Sequence, residues 1–280
     1  MIRGSARFVS IAVLIAACGQ GGAAAAAGTA ACCDPTAPPA TSGPRNLTVF
    51  AAASLANAID SAAAAFTAAH PGITITISTD SSAALATQIE QGAPVDVFLS
   101  ADASNPQKLV DRGVADGAAV VFARNKLTIV VPKGNPGGLM SPKDLAKSGL
   151  RIVAAGDEVP ITKYATQVVA NLAAAPGYPP GFAASYAANV VSKEDNVKAV
   201  IAKIELGEGD AAIVYVTDAK ASDDVATIDV PDAANVAATY AGVVVRASAS
   251  AGAAKAFLAW FAGPDGQAIL ARSGFLPPSR

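Results

Sequence analysis

The pattern of this chain predicts an α/β protein of two lobes, each a mostly parallel sheet flanked by helices, joined by two crossing strands. Three observations carry that expectation. Short apolar runs alternate with segments of helical period from Asn46 onward, the alternation starts afresh after residue 125, and YAGVVVRAS reads as a strand returning to the first lobe with two helices packed on it. Strand–helix–strand succession implies parallel pairing with helices on the sheet faces, and it places ligands at the carboxyl ends of the strands. With 280 residues the chain is long enough for one large or two small lobes with real cores.

Each element has its own warrant. Leu47 to Ala52 is a short apolar strand, after which Leu55, Ile59, Ala62 and Phe66 recur at helical spacing until His70-Pro71-Gly72 stops the helix. Ile73, Ile75 and Ile77 alternate with Thr74, Thr76 and Ser78, as a half-buried strand requires. A helix through Leu85 and Ile89 to Gly92 and the strand VDVFLSAD follow. LTIVVPKGNP leaves the first lobe, and SPKDLAKSG is a short helix with Ser141 as N-cap and Pro142 at its first position. RIVAAGD is a strand; Pro160 ends one element and helical spacing resumes through ITKYATQVVANL. Beyond the strand end VVSKE, Val197, Val200, Ile201 and Ile204 form the inner face of a helix, and Tyr215 lies in the strand AAIVYV. The expected boundaries are 46–124 with 236–280 for lobe I and 125–235 for lobe II.

The amino terminus is of a different kind. Arg3 and Arg7 precede a short apolar run from Phe8 to Ala17, the pattern of an export signal over residues 1–17; a spanning helix needs about 20 residues. Ile15-Ala16-Ala17-Cys18 is similar to the lipobox of bacterial lipoproteins, in which the cysteine is lipidated and anchors the protein to the outer face of the cell membrane. The alternative is an ordinary signal peptide with an incidental cysteine. Residues 18–45 carry almost no bulky apolar side chain, so burial cannot offset the entropy of ordering them, and they read as a flexible tether. Cys32 and Cys33 fall inside it at no metal-ligand spacing and read as thiols or oxidised pairs without catalytic work. The 20 basic and 22 acidic residues form no basic stripe, which argues against nucleic acid.

Two serine-containing turns follow two apolar strands and open helices: Ser54 in LTVFAAASLANAID, and Ser81 and Ser82 in ITITISTDSSAALATQI. A helix start offers unpaired N–H groups and the positive end of the helix dipole, roughly half a unit charge, so two such starts converging would bind a small oxyanion. Taken singly, each serine is as well explained as a helix cap, and Tyr215 as a core tyrosine. A secreted serine hydrolase is the rival class. His70 is the only histidine and lies in a helix stop, and no GxSxG, SxxK or HExxH occurs, so the parts for triad, penicillin-binding or zinc-protease chemistry are missing.

In order and spacing, VFAAASL, SSAALATQIEQGAPVDVFLSAD, GEGDAAIVYVTDA and the terminal SGFLPP resemble the extracytoplasmic molybdate-binding proteins of ABC importers, over about Leu47 to Pro277. The resemblance implies the two-lobed type II periplasmic-binding-protein fold and a monomeric, non-enzymatic receptor. Its ligand would be molybdate or tungstate, with no cofactor and no metal cation, and its partners a permease and an ATPase. Carried over residue by residue, the ligand shell would be the hydroxyls of Ser54, Ser82 or Ser81, and Tyr215, with main-chain donors at Ile161 and Val197. Counting from Leu85 selects Ser82 and counting from Ser54 selects Ser81, so both stand. At Ile161 the sequence VPITKY departs from the small residue and glycine common in relatives. Sulfate or another tetrahedral oxyanion is the alternative ligand. With only hydroxyl and amide donors and His70 outside the shell, affinity is expected to be nearly flat between about pH 6 and 8.5.

Overall fold

The computed structural model describes residues 45–278. The expected signal segment 1–17, the lipidation residue Cys18, and Cys32 and Cys33 in the tether lie outside the described residues. In chain order, β1 (Arg45–Ala52) passes through a 3-10 turn at Ala53–Leu55 into α1 (Ala56–Ala69). Then come β2 (Ile73–Asp80), α2 (Ser82–Glu90), β3 (Val97–Ser100), α3 (Ser104–Asp111) and β4 (Val120–Asn125). The chain continues through β5 (Leu127–Pro132), a 3-10 turn at Pro142–Ala146, β6 (Ile152–Ala155), α4 (Pro160–Ala174), α5 (Phe182–Ala188) and β7 (Val190–Glu194). It ends with α6 (Val197–Glu205), β8 (Ala212–Tyr215), α7 (Val216–Lys220), β9 (Val225–Asp229), β10 (Ala238–Val244), α8 (Ala251–Ala262) and α9 (Pro264–Arg272).

The first sheet has the order β2-β1-β3-β10-β4. In the second half, β8-β5-β9 form one sheet and β6-β7 another, and a parallel bridge between Ile152 and Ala211 joins β6 to β8. The second half therefore repeats the first as β7-β6-β8-β5-β9. Pairing is parallel for β1 with β2 and β3, and for β6 with β7. It is antiparallel wherever β10 or β5 takes part.

Each sheet is therefore mostly parallel, as expected, with a single reversed strand, β10 in the first and β5 in the second, and the reversal has a simple cause. The strands β1, β3, β6 and β8 all run toward the same inter-sheet region. A chain that crosses from one sheet must begin its new strand there, so the crossing strands β5 and β10 run the opposite way. Two elements between residues 103 and 125, α3 and β4, escaped the sequence reading, because SNPQKLVD is polar and VVFARN is short. Pro160 also opens α4 rather than ending an element, a position where its missing N–H costs nothing.

Burial follows the pattern. On β2, a sheet edge, Ile73, Ile75 and Ile77 are half-buried while Thr74 and Thr76 are exposed; central β1 is buried on both faces from Val49 onward. Phe66 of α1 meets Phe257 and Trp260 of α8 at ring centroids of 5.1 and 5.3 Å, so the two closing helices pack on the first sheet. Val197, Val200, Ile201 and Ile204 are all buried on α6.

Asn235 ties the two crossings together. Its amide donates to the Leu127 carbonyl at 2.8 Å and its oxygen accepts from the Leu127 N–H at 3.1 Å, so one side chain completes the ladder where β5 begins. Leu127 is buried, and Asn235→Ala leaves both of its backbone groups without these partners. The expected cost is about 1–3 kcal/mol, read as a lower urea midpoint at an unchanged slope.

Candidate functional site

The carboxyl ends of β1, β2, β6, β7 and β8 deliver helix starts to one small cavity between the two sheets. Ser54 comes from the 3-10 turn before α1, Ser81 and Ser82 are the N-cap and first residue of α2, and Ile161 is the second residue of α4. Val197 is the first residue of α6 and Tyr215 the N-cap of α7. All six expected residues line this cavity. The sequence marked helix starts only at its serine turns; folding adds those of α4 and α6, whose first amides have no acceptor within their own helix. Pro160 has no N–H, so Ile161 carries the first free amide of α4.

The cavity is small: the centre of a water-sized sphere has about 10 Å³ in which to move. Its lining contains no Lys or Arg. The helix starts around it each carry roughly half a positive charge, and the lining includes one carboxylate, Asp80.

The hydroxyls are already committed in a way that can leave their protons free. Ser82 Oγ accepts from the Ala101 N–H at 3.0 Å. Ser54 Oγ shares a 2.9 Å hydrogen bond with the Tyr240 hydroxyl in which either oxygen can donate; with the phenol as donor, the serine proton is free. In that arrangement each serine keeps its own proton for a third group. The Tyr215 hydroxyl is buried and has no partner within the protein. Burial pushes its phenol well above the ordinary range, with Tyr240, Tyr164 and Asp218 adding to the effect, so Tyr215 stays a donor. An unpaired buried hydroxyl is costly, which makes it a pointer to a ligand rather than a filler of the core.

Several participants had no signal in the sequence. Asp80 Oδ1 accepts from the Ser81 N–H at 2.7 Å and from Asn196 Nδ2 at 3.1 Å, a bond that runs from the first sheet's β2 to the cap of α6. Asn196 Oδ1 meanwhile caps the Ala199 N–H at 3.1 Å. Tyr240 and Asn125 back the serine from behind, with Asn125 Nδ2 donating to Thr217 Oγ1 at 2.8 Å. An aspartate or asparagine before a helix reads as a cap, so nothing local distinguishes one that also spans the cleft. His70 is confirmed as a helix stop: it caps α1, its Nδ1 lies 2.9 Å from the Phe66 carbonyl, and its ring stacks on Phe66. No serine of the cavity has it as a partner.

Asp218, in the first turn of α7, is buried, lines a pocket that Ser54 also lines, and has one carboxyl oxygen without a partner. Burial pushes its carboxyl up to about 7, with Lys198 pulling the other way.

Similarity to known proteins bears on what this arrangement is for. The family of bacterial extracellular solute-binding proteins matches residues 47–276. Over 247 residues the chain is 35% identical to the molybdate-binding protein ModA of Mycobacterium tuberculosis strain H37Rv, covering 87% of this chain and 90% of that one. The periplasmic molybdate-binding protein of Azotobacter vinelandii superposes with a TM-score of 0.71 at 27% identity, over 83% of this chain and all of the other. The sulfate-binding protein SubI of Mycobacterium tuberculosis H37Rv has a TM-score of 0.73 at 21% identity, over 83% and 86%, a likeness of fold alone.

The raised Asp218 carboxyl makes stability depend on pH. Its value of about 7 lies above the ordinary 3.8, so its contribution is complete below about pH 3.8 and is lost as pH rises through 7. The total is on the order of 4 kcal/mol. In urea unfolding, Asp218→Asn should gain on the wild type from pH 5 to about pH 7 and hold that gain at pH 8; parallel curves throughout would show that the carboxyl is solvated.

Proposed function

The chain belongs to the bacterial extracellular solute-binding protein family, and from that premise we propose that it captures molybdate, and also tungstate, for an ABC importer. Its relatives are receptors, not enzymes. The observation that carries the reading is the buried, unpaired hydroxyl of Tyr215, a residue that lines a cavity free of Lys and Arg and ringed by helix starts. A tetrahedral dianion needs donors on every oxygen, and the hydroxyls of Ser54, Ser82 and Tyr215 with the amides of Ile161 and Val197 would supply them. Charge-assisted bonds of this kind contribute about 1.5–3 kcal/mol each and so offset the desolvation of the dianion. Residues 46–124 with 236–280 and residues 125–235 would act as two lobes closing on the ligand, with the Asp80–Asn196 bond as a clasp. Delivery would go to a permease and an ATPase on separate chains, with the receptor working as a monomer held by lipid on Cys18.

Calorimetry with molybdate, tungstate, sulfate and phosphate tests the ligand. The first two should bind far more tightly. Sulfate competing on equal terms would overturn the assignment. Ser54→Ala and Ser82→Ala should each weaken molybdate roughly 10- to 100-fold. Helix caps alone would instead lower the melting temperature and leave affinity intact. Ser81→Ala decides the register of that loop.

Asp218 alters the expected response to pH. The flat profile between about pH 6 and 8.5 considered His70 and Tyr215 only, whereas a carboxyl at about 7, in a pocket that Ser54 also lines, changes charge within that window. Molybdate affinity should be level below pH 7 and decline above it in the wild type, and stay level throughout in Asp218→Asn. Export is tested separately: Cys18→Ala should move the protein from the membrane fraction to the soluble one.

A further inference from the structure

The cleft has two flanks of opposite character on either side of the cavity. One is a pocket of about 180 Å³ lined by Lys198 of α6, Lys220 of α7 and Arg272 of α9, with Ser54, Thr217 and Asp218 among its walls. None of these three cations takes part in an ion pair among the described residues. The other flank is broader, about 760 Å³, and carries Asp80, Asp157, Glu158, Glu194 and Asp195, of which Asp157 and Glu194 are paired with Lys193 and Lys203 while Asp80, Glu158 and Asp195 are in no ion pair among the described residues. Its two lysines are neutralised by partners: Lys108 lies 3.0 Å from Glu90, and Lys193 pairs with Asp157. A chain with a net charge of −2 thus gathers unpaired positive charge on one side of the cleft and negative charge on the other.

Ser54 is a wall of both the cavity and the basic pocket, and both are lined from both halves of the molecule. Parting the halves would therefore merge them into one passage. Asp218 does not cancel the cations, since its buried carboxyl is largely neutral below about pH 7. A dianion meets attraction on this side and repulsion on the other, and charge of one sign in a cleft focuses the field and raises on-rates by about 10- to 1,000-fold.

We propose that the pocket formed by Lys198, Lys220 and Arg272 beside Ser54 is a second, weaker oxyanion site through which tetrahedral dianions enter the cleft. It rests on the reading of the cavity as an oxyanion site, and goes beyond it by assigning a direction of approach and a separate residence for the anion. This outer site holds dianions by charge alone and does not distinguish molybdate from sulfate; selection falls to the inner donors.

The test is stopped-flow association of molybdate, with calorimetry on the same samples. Lys198→Gln/Arg272→Gln keeps Lys220, whose Nζ donates to the Arg272 carbonyl at 3.2 Å. At low salt this double variant should associate about three- to tenfold more slowly, with dissociation changed less than about twofold. The difference should vanish near 1 M salt, where the screening length is about 3 Å. Arg45→Gln/Lys133→Gln makes the same change in net charge at strand ends away from the cleft and should leave the rate nearly unaltered. At fixed ionic strength, replacing chloride by sulfate should slow molybdate association in the wild type and have little effect in the Lys198/Arg272 variant. Normal equilibrium binding with unchanged rate and salt slope, or equal slowing by the two double variants, overturns the outer site alone. Failure of the wild type to bind molybdate overturns the ligand assignment and the outer site with it.

Discussion

Placing a divalent anion in a small cavity without a counter-ion demands that many weak, fixed donors reach one point from different directions. No single helix can do this, because its free amides lie within one turn and face one way. The proposed anion site would meet the demand with geometry: strands of both sheets run toward a common region, and the helix that follows each strand starts there. The same requirement explains the absence of Lys and Arg from the cavity wall, since a flexible ammonium would need ordering whereas backbone amides are already ordered.

The directional constraint reaches into the sheets. Strands that end at the cleft are parallel to one another, and strands that start there, β5 and β10, are antiparallel to them. The antiparallel pairs are thus a consequence of crossing between sheets rather than a departure from the α/β scheme. Asn235, holding both backbone groups of Leu127, shows how few bonds are needed to align one crossing with the other.

Behind the cavity lies a polar layer that orients the donors. The Ser54 hydroxyl is held by Tyr240, and the Ala101 N–H commits the oxygen of Ser82, so both side chains are fixed in place. Such preorganisation reduces the entropy lost when a ligand is bound. Asp218 is the exception in that layer, a buried carboxyl with an unpaired oxygen, and it links the charge state of the wall to the pH of the surroundings.

Much of this was written in the sequence by itself. Apolar periodicity placed β1, α1, β2, α2, β5, α6 and β8, because burial on one face imposes period 2 or 3.6 on the residues that do it. The motifs around Ser54, Ser82 and Tyr215 named the residues that meet at the cavity, together with Ile161 and Val197. The sequence left Ser81 and Ser82 unresolved, and both line the cavity. What only the tertiary structure decided are relations across long separations. Asp80 reaches Asn196 over 116 positions and Ser54 reaches Tyr240 over 186. Likewise Lys198 and Arg272 share a pocket though they sit on α6 and α9. Each of these residues has an adequate local reading as a cap, a core aromatic or a solvated charge. A pairing or a pKa depends on what folding brings alongside and on how much water it removes, and neither is a property of the neighbours in sequence.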